Sequence, residues 1–180
     1  MFPVLSKSML LLAGLLALVG VGHSAMAADV CANENTAIPF RTPSTDFQVH
    51  GDGTISQHST KLMWMQCSIG QSWDGAGCVG VMNSYHWLDA LQMAESFSFA
   101  GYSDWRLPNK NELAAIIEER CWSPSVNTAN FPDASDGTYW TSSPHVKYST
   151  QSWSVHFFIG SITGTDKSSE LYVRLVRFDE

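Results

Sequence analysis

The stretch GYSDWRLPNKNE, residues 101–112, decides how this chain folds. Gly101 lets the backbone turn, Trp105 and Leu107 offer large apolar faces, and Pro108 biases Leu107 toward an extended conformation. Asn109 is then placed to cap a helix. Its side-chain oxygen can accept an amide of the first turn while Glu112 reaches back, in a capping-box arrangement. The helix expected next runs through Leu113, Ile116 and Ile117 and leaves Glu118, Glu119 and Arg120 to solvent. Asp104, Trp105, Arg106, Pro108 and Asn109 therefore read as a structural motif at a strand-to-helix turn. Asp104 and Arg106 flank Trp105 and are both expected to be buried. The favoured reading has them hydrogen-bonding loop backbone, and the rival makes them a charged pair at a ligand site.

Toward the amino terminus, Trp87, Leu91, Ala94 and Phe97 recur at helical spacing, with Ser84 as the expected cap. Further back, residues 47–50 and 54–58 flank Gly51-Asp52-Gly53, a hairpin signal. Leu62 and Trp64 then alternate with Met63 and Met65, which predicts a strand buried on both faces. Toward the carboxyl terminus, residues 122–136 form a long loop, and strands are expected at 138–142, 152–158 and 171–178, with a polar hairpin around 160–166. Arg174 and Arg177 on the closing strand are expected to meet helix carboxylates. Strands at both ends and two helices between them make the fold class α+β.

Residues 1–27 read as a signal peptide: Lys7, an apolar run over residues 9–21, and Ala25-Met26-Ala27 as the cleavage pattern. Residues 28–46 then form an amino-terminal arm and 47–180 one domain. No later stretch has the roughly 20 apolar residues of a membrane span, so the expected product is exported to the periplasm, the cell surface or beyond. Past the leader, nine Lys and Arg stand against seventeen Asp and Glu, which argues against a nucleic-acid partner. Four cysteines in an exported chain point to disulfides rather than zinc, since no CxxC occurs. Three pairings are formally open. The most local is Cys67 with Cys78, leaving Cys31 to tie the arm to Cys121, and the chain-entropy argument gives roughly 3 and 4–5 kcal/mol for the two loops.

Six histidines occur without HxxxH or HExxH spacing, so a metal or general-base constellation is not legible. No nucleophile, base and orienter assemble by motif, so an enzyme is not expected. Asp133 and Asp136 match no EF-hand spacing and read first as a turn-forming acidic loop, with calcium ligation as the alternative role, and no other cofactor is expected. Aromatic residues give the binding hint: His145, Tyr148, Trp153 and His156, on and beside a loop between late strands, are the candidate ligand-binding residues.

The segments GDGTISQHSTKLMWMQCSIGQSWDGAGC, FAGYSDWRLPNKNEL and YWTSSP, the strand carrying Trp153 and the closing VRLVR resemble the Lcl C-terminal domain family, named for a bacterial collagen-like adhesin. The likeness runs from about Phe47 to Phe178. Arg106-Leu107-Pro108 leading into a helix is also similar to formylglycine-generating enzymes, which share a C-type-lectin-like fold. The resemblance implies a C-type-lectin-like domain, two helices packed on small antiparallel sheets with two disulfides, used at bacterial surfaces and in some members for binding glycans. No Gly-x-y stalk is present, and the last cysteine, Cys121, lies too early for formylglycine-type chemistry. The expected function is an exported, non-enzymatic binding domain for a glycan or protein ligand. The alternatives are an assembly module docking through its arm and an enzyme of the formylglycine-generating type, and a homo-oligomer is a further expectation.

Overall fold

The computed structural model describes residues 28–132 and 134–179. The signal peptide expected over 1–27 and the calcium candidate Asp133 lie outside the described residues. In chain order the elements are β1 (Asn33–Glu34), a 3-10 turn (Ser44–Asp46), β2 (Phe47–Val49), β3 (Thr54–Gln57), β4 (Leu62–Met65), β5 (Gln71–Trp73), β6 (Cys78–Gly80) and β7 (Ser84–Tyr85). They continue with α1 (Trp87–Glu95), α2 (Lys110–Ala114), β8 (Cys121–Trp122), β9 (Thr138–Pro144), β10 (Gln151–His156), β11 (Ser161–Asp166), β12 (Leu171–Tyr172) and β13 (Val176–Phe178). A four-stranded sheet runs β13-β4-β3-β2, and a five-stranded sheet runs β11-β10-β9-β12-β7. Among the described residues, small and mostly antiparallel sheets, β12 alone pairing parallel with β9, two short helices and two disulfides give an α+β architecture. Among the described residues, no helix is long and apolar enough to cross a membrane.

Strand β4 organises the core because both of its faces are covered, as its unbroken apolar run predicts. Leu62 and Trp64 enter one cluster with Leu113, Ile116 and Val155. Met63 and Met65 enter the other with Ala90, Trp105, Leu107 and Trp140. Each helix thus closes one side of the same strand. Burying Trp64, which is fully inaccessible, contributes on the order of 2–3 kcal/mol at the usual area coefficient.

The stretch 101–112 fastens the two sheets together. Gly101 turns with φ 83°. Arg106 exchanges two backbone hydrogen bonds with Val176 in β13, and the Pro108 carbonyl accepts from Ser142 N in β9. Asn109 caps α2 through Asn111 N and Glu112 N, and Glu112 accepts from Asn109 N at 2.7 Å, completing the expected capping box. Both disulfides form as the local pairing predicts, Cys67 with Cys78 and Cys31 with Cys121.

Several expectations are corrected. Ser84 lies in β7, where it pairs with Tyr172, and His86 occupies the cap of α1. Sheet pairing has recruited the residues a cap would need. Helix α2 ends at Ala114, and Ile116 and Ile117 continue it only through tight turns, bonding three residues back to Leu113 and Ala114. That tightening swings Glu118 inward. Far from meeting solvent, its carboxylate is fully buried and accepts from Arg41 N, Thr42 N, Thr42 Oγ1 and Arg120 N. It thereby holds the arm against the domain, since backbone amides of a returning segment replace water as donors.

The closing strand expected over 171–178 is two strands. Between β12 and β13, residues 173–175 cross from one sheet to the other, with the Val173 and Leu175 carbonyls accepting from Ile69 N and Met65 N. Arg174 meets no helix carboxylate. It donates to the Met65 and Gln66 carbonyls and to Ser68 Oγ, and stacks over Phe131. Burial pulls the guanidinium below its ordinary pKa, with the neighbouring Tyr139 opposing that shift. A planar fork of donors suits carbonyls left unpaired where a strand changes sheets. The polar hairpin around 160–166 is strand β11, its turn falling before Ser161.

Candidate functional site

Strands β9 and β10 run antiparallel and are joined by the loop 145–150. The loop is closed at its base by His145 N donating to Gln151 O and Gln151 N to Tyr148 O. Within it, His145 Nδ1 accepts from the amides of Lys147 and Tyr148, both at 3.2 Å. Those two bonds fix the ring and make Nε2 the protonated nitrogen of the neutral imidazole.

The fixed ring stacks on Trp153 with centroids 4.5 Å apart and planes 28° from parallel. The Tyr148 ring lies 5.0 Å from that of His145, tilted by 34°. Two ammonium groups edge the cluster: Lys110 Nζ lies 4.8 Å from the Trp153 ring centre and Lys147 Nζ 5.0 Å from that of Tyr148. Lys110 is delivered by the capped first turn of α2, where its amide donates to Ser143 Oγ. Opposite Trp153 in the ladder stands Gly164. A Cβ there would sit 2.9 Å from His145 Cδ2 and 2.8 Å from Gln151 Oε1, so the glycine leaves the volume that His145 fills. Tyr148 remains 47% exposed and Val146 is 97% exposed. The result is an aromatic shelf open to solvent and braced by two strands and a helix start.

Three of the four candidate ligand-binding residues, His145, Tyr148 and Trp153, are brought together. His156 is not. It lies three positions along β10 from Trp153, hence on the opposite face, where its Nδ1 accepts from Phe158 N. The two lysines are what sequence reasoning missed. Lys147 stood in view inside the loop, whereas Lys110 becomes visible only once α2 is docked on β10.

The motif charges do not pair with each other. Arg177 Nε donates to Asp104 at 2.7 Å, and Arg106 grips Glu112 with two bonds of 2.8 Å. The guanidinium of Arg177 holds the Asp104 carboxyl below its usual range. For Glu112, burial works to raise the pKa, but the Arg106 fork and the Asn109 amide outweigh it and the net shift is downward. Asp104, expected to be buried, keeps a 54% exposed side chain. Asp136 is exposed and accepts from Ser123 Oγ. Among the described residues, no group of three or more His, Cys, Asp or Glu is arranged to hold a metal ion.

No curated protein matches the chain. The profile of the Lcl C-terminal domain matches residues 53–177. That segment takes in β4, the 101–112 stretch, the aromatic shelf and the closing VRLVR; the family is one of surface, adhesin-type domains, and two disulfides accord with export. This chain belongs to the Lcl C-terminal domain family.

Proposed function

We propose that this chain is an exported, non-enzymatic binding domain of lectin-like architecture that recognises a glycan at the cell envelope or outside the cell. The observation that carries this reading is the His145–Trp153 stack, extended by the exposed Tyr148 ring. Flat aromatic faces take the C–H faces of sugars, and the flanking backbone and lysines offer hydrogen bonds to hydroxyls. Holding Trp153 on β10 and the other two rings in a loop closed by backbone hydrogen bonds at its base removes much of the ordering entropy that binding would otherwise require. The alternative of an assembly module docking through its arm is disfavoured, because the arm's amides are already engaged by the buried Glu118 and its Cys31 by Cys121.

A glycan array probed with the disulfide-intact protein, beside a Tyr148→Ala variant, tests the reading. The expected result is binding to a restricted set of glycans, weakened about tenfold by the substitution. Binding unaffected by Tyr148→Ala, or none from protein verified as folded, refutes the shelf as a glycan site. Calcium dependence in the same assay would bring Asp133 and Asp136 forward as ligands.

A further inference from the structure

Strand β11 is an outer strand of the five-stranded sheet, and its hydrogen bonds can be assigned by alternation. Lys167 N donates to Thr150 O, which makes that pair a bonded one. In an antiparallel ladder bonded and non-bonded pairs alternate. Along the observed register, Thr165, Thr163 and Ser161 therefore bond inward to Ser152, Ser154 and His156. The amides and carbonyls of Ile162, Gly164 and Asp166 consequently point outward. Among the described residues only Ser169 N reaches one of them, the Asp166 carbonyl.

Outer strands are normally blunted by brevity, proline, lysine, a bulge or a covering segment. The other sheet margins here follow that rule: β2 has three residues, β7 two, and β13 is bridged by Arg106. Strand β11 has six residues, no proline, no lysine and no bulge against β10. The next residue, Lys167, turns its ammonium back onto Ser149 O and the Trp87 ring. Ile162 is 38% exposed on this margin.

We propose that β11 is an assembly edge, pairing antiparallel with β11 of a second copy of this chain about a two-fold axis at Gly164. The outward residues are alternate ones, so a two-fold through Gly164 sets Gly164 against itself and Ile162 against the second copy's Asp166. Every outward amide then meets an outward carbonyl, the one at Asp166 accepting a second bond beside that from Ser169 N. No like charges face each other, and the second copy's Asp166 enters the face on which Lys110 stands over Trp153, a complementary placement repeated by symmetry. Because His145 lies over Gly164, the axis brings two aromatic shelves side by side, and each copy contributes rings to one continuous surface. The inference stands on backbone pattern and does not depend on what the shelf binds.

Sedimentation velocity of the purified chain with both disulfides intact, across about 1 µM to 1 mM, the range suited to a small interface, tests it. A monomer–dimer equilibrium is expected, and Ile162→Lys, which charges the edge without touching the inward bonds, shifts it at least about tenfold toward monomer. As a second arm, Gly164→Cys should form a covalent dimer on oxidation, since bonded pairs bring Cα atoms to about 5.5 Å, within disulfide reach. Ser161→Cys should not, because antiparallel pairing carries the two copies of residue 161 apart. A chain monomeric throughout with no Gly164→Cys crosslink overturns the proposal. So does a dimer indifferent to Ile162→Lys, or one in which Ser161→Cys links as readily, because the interface then lies elsewhere.

Discussion

Gly164→Ala separates the aromatic shelf from the fold beneath it. The added methyl would sit 2.8 Å from Gln151 Oε1 and 2.9 Å from His145 Cδ2, both far ends of side chains rather than backbone. Those ends yield first, so the imidazole leaves its perch. Losing the stack with Trp153 removes about 0.5–1.5 kcal/mol, while replacing glycine by alanine inside a strand returns roughly 0.5–1 kcal/mol through the unfolded chain. The two nearly cancel, and the melting temperature is expected to move by no more than about 4 °C in a domain of this size. Proton NMR reads the other half: the His145 ring protons should lose the ring-current shift that Trp153 imposes in the wild type. Glycan binding should fall about tenfold, as for truncation of an anchor residue. A variant that melts far lower would show that the strand, not the side chains, absorbs the methyl. Unchanged His145 resonances would show that the glycine has no part in seating the ring.

Glu118→Gln puts a donor where four donors converge, and should destabilise the protein by about 3 kcal/mol in urea unfolding while exposing residues 28–46 to protease. The folded-state pKa values of Glu112 and Asp104 are depressed, so the unfolded chain binds more protons and stability rises with pH. That contribution should be complete above the ordinary carboxylate range and be lost as pH falls through the folded values, and Glu112→Gln should flatten this acid limb in melts taken from pH 6 downward. Replacing Cys67 and Cys78 by serine should cost about 3 kcal/mol and replacing Cys31 and Cys121 about 4–5 kcal/mol, by the loops each closes, which denaturant titration can rank.

What the sequence discloses tracks the range of the interaction that decides each feature. The first hairpin, the doubly buried β4 and the capping box depend on neighbours within a few residues, and all three are readable from period and turn chemistry. The burial of Glu118 depends on amides of Arg41 and Thr42 returning from far along the chain, so its polar character misleads. The division of the closing strand is equally hidden, because nothing local in LYVRLVRF says which sheet each half joins. At the shelf, a loop rich in aromatics is visible, but Lys110 over Trp153 requires the docking of α2 on β10. His156 is different. Its odd spacing from Trp153 already places the two on opposite faces of a strand, and stricter use of that alternation would have set it aside.

The Cys31–Cys121 bridge has a mechanical consequence. Suppose tension is applied between Ala28 and a ligand held at Tyr148. The covalent path runs from residue 28 to Cys31, across the disulfide to Cys121, and on to residue 148. Residues 32–120, with both helices and strands β1 to β7, lie in a loop that carries none of the load. Contour released by complete rupture along that path is limited to roughly 100 Å, against roughly 400 Å for the same span without the bridge, at about 3.5 Å per residue. A reduced molecule pulled in this geometry would unravel from its arm inward, whereas the oxidised one transmits force through β9 to the loop that carries His145 and Tyr148.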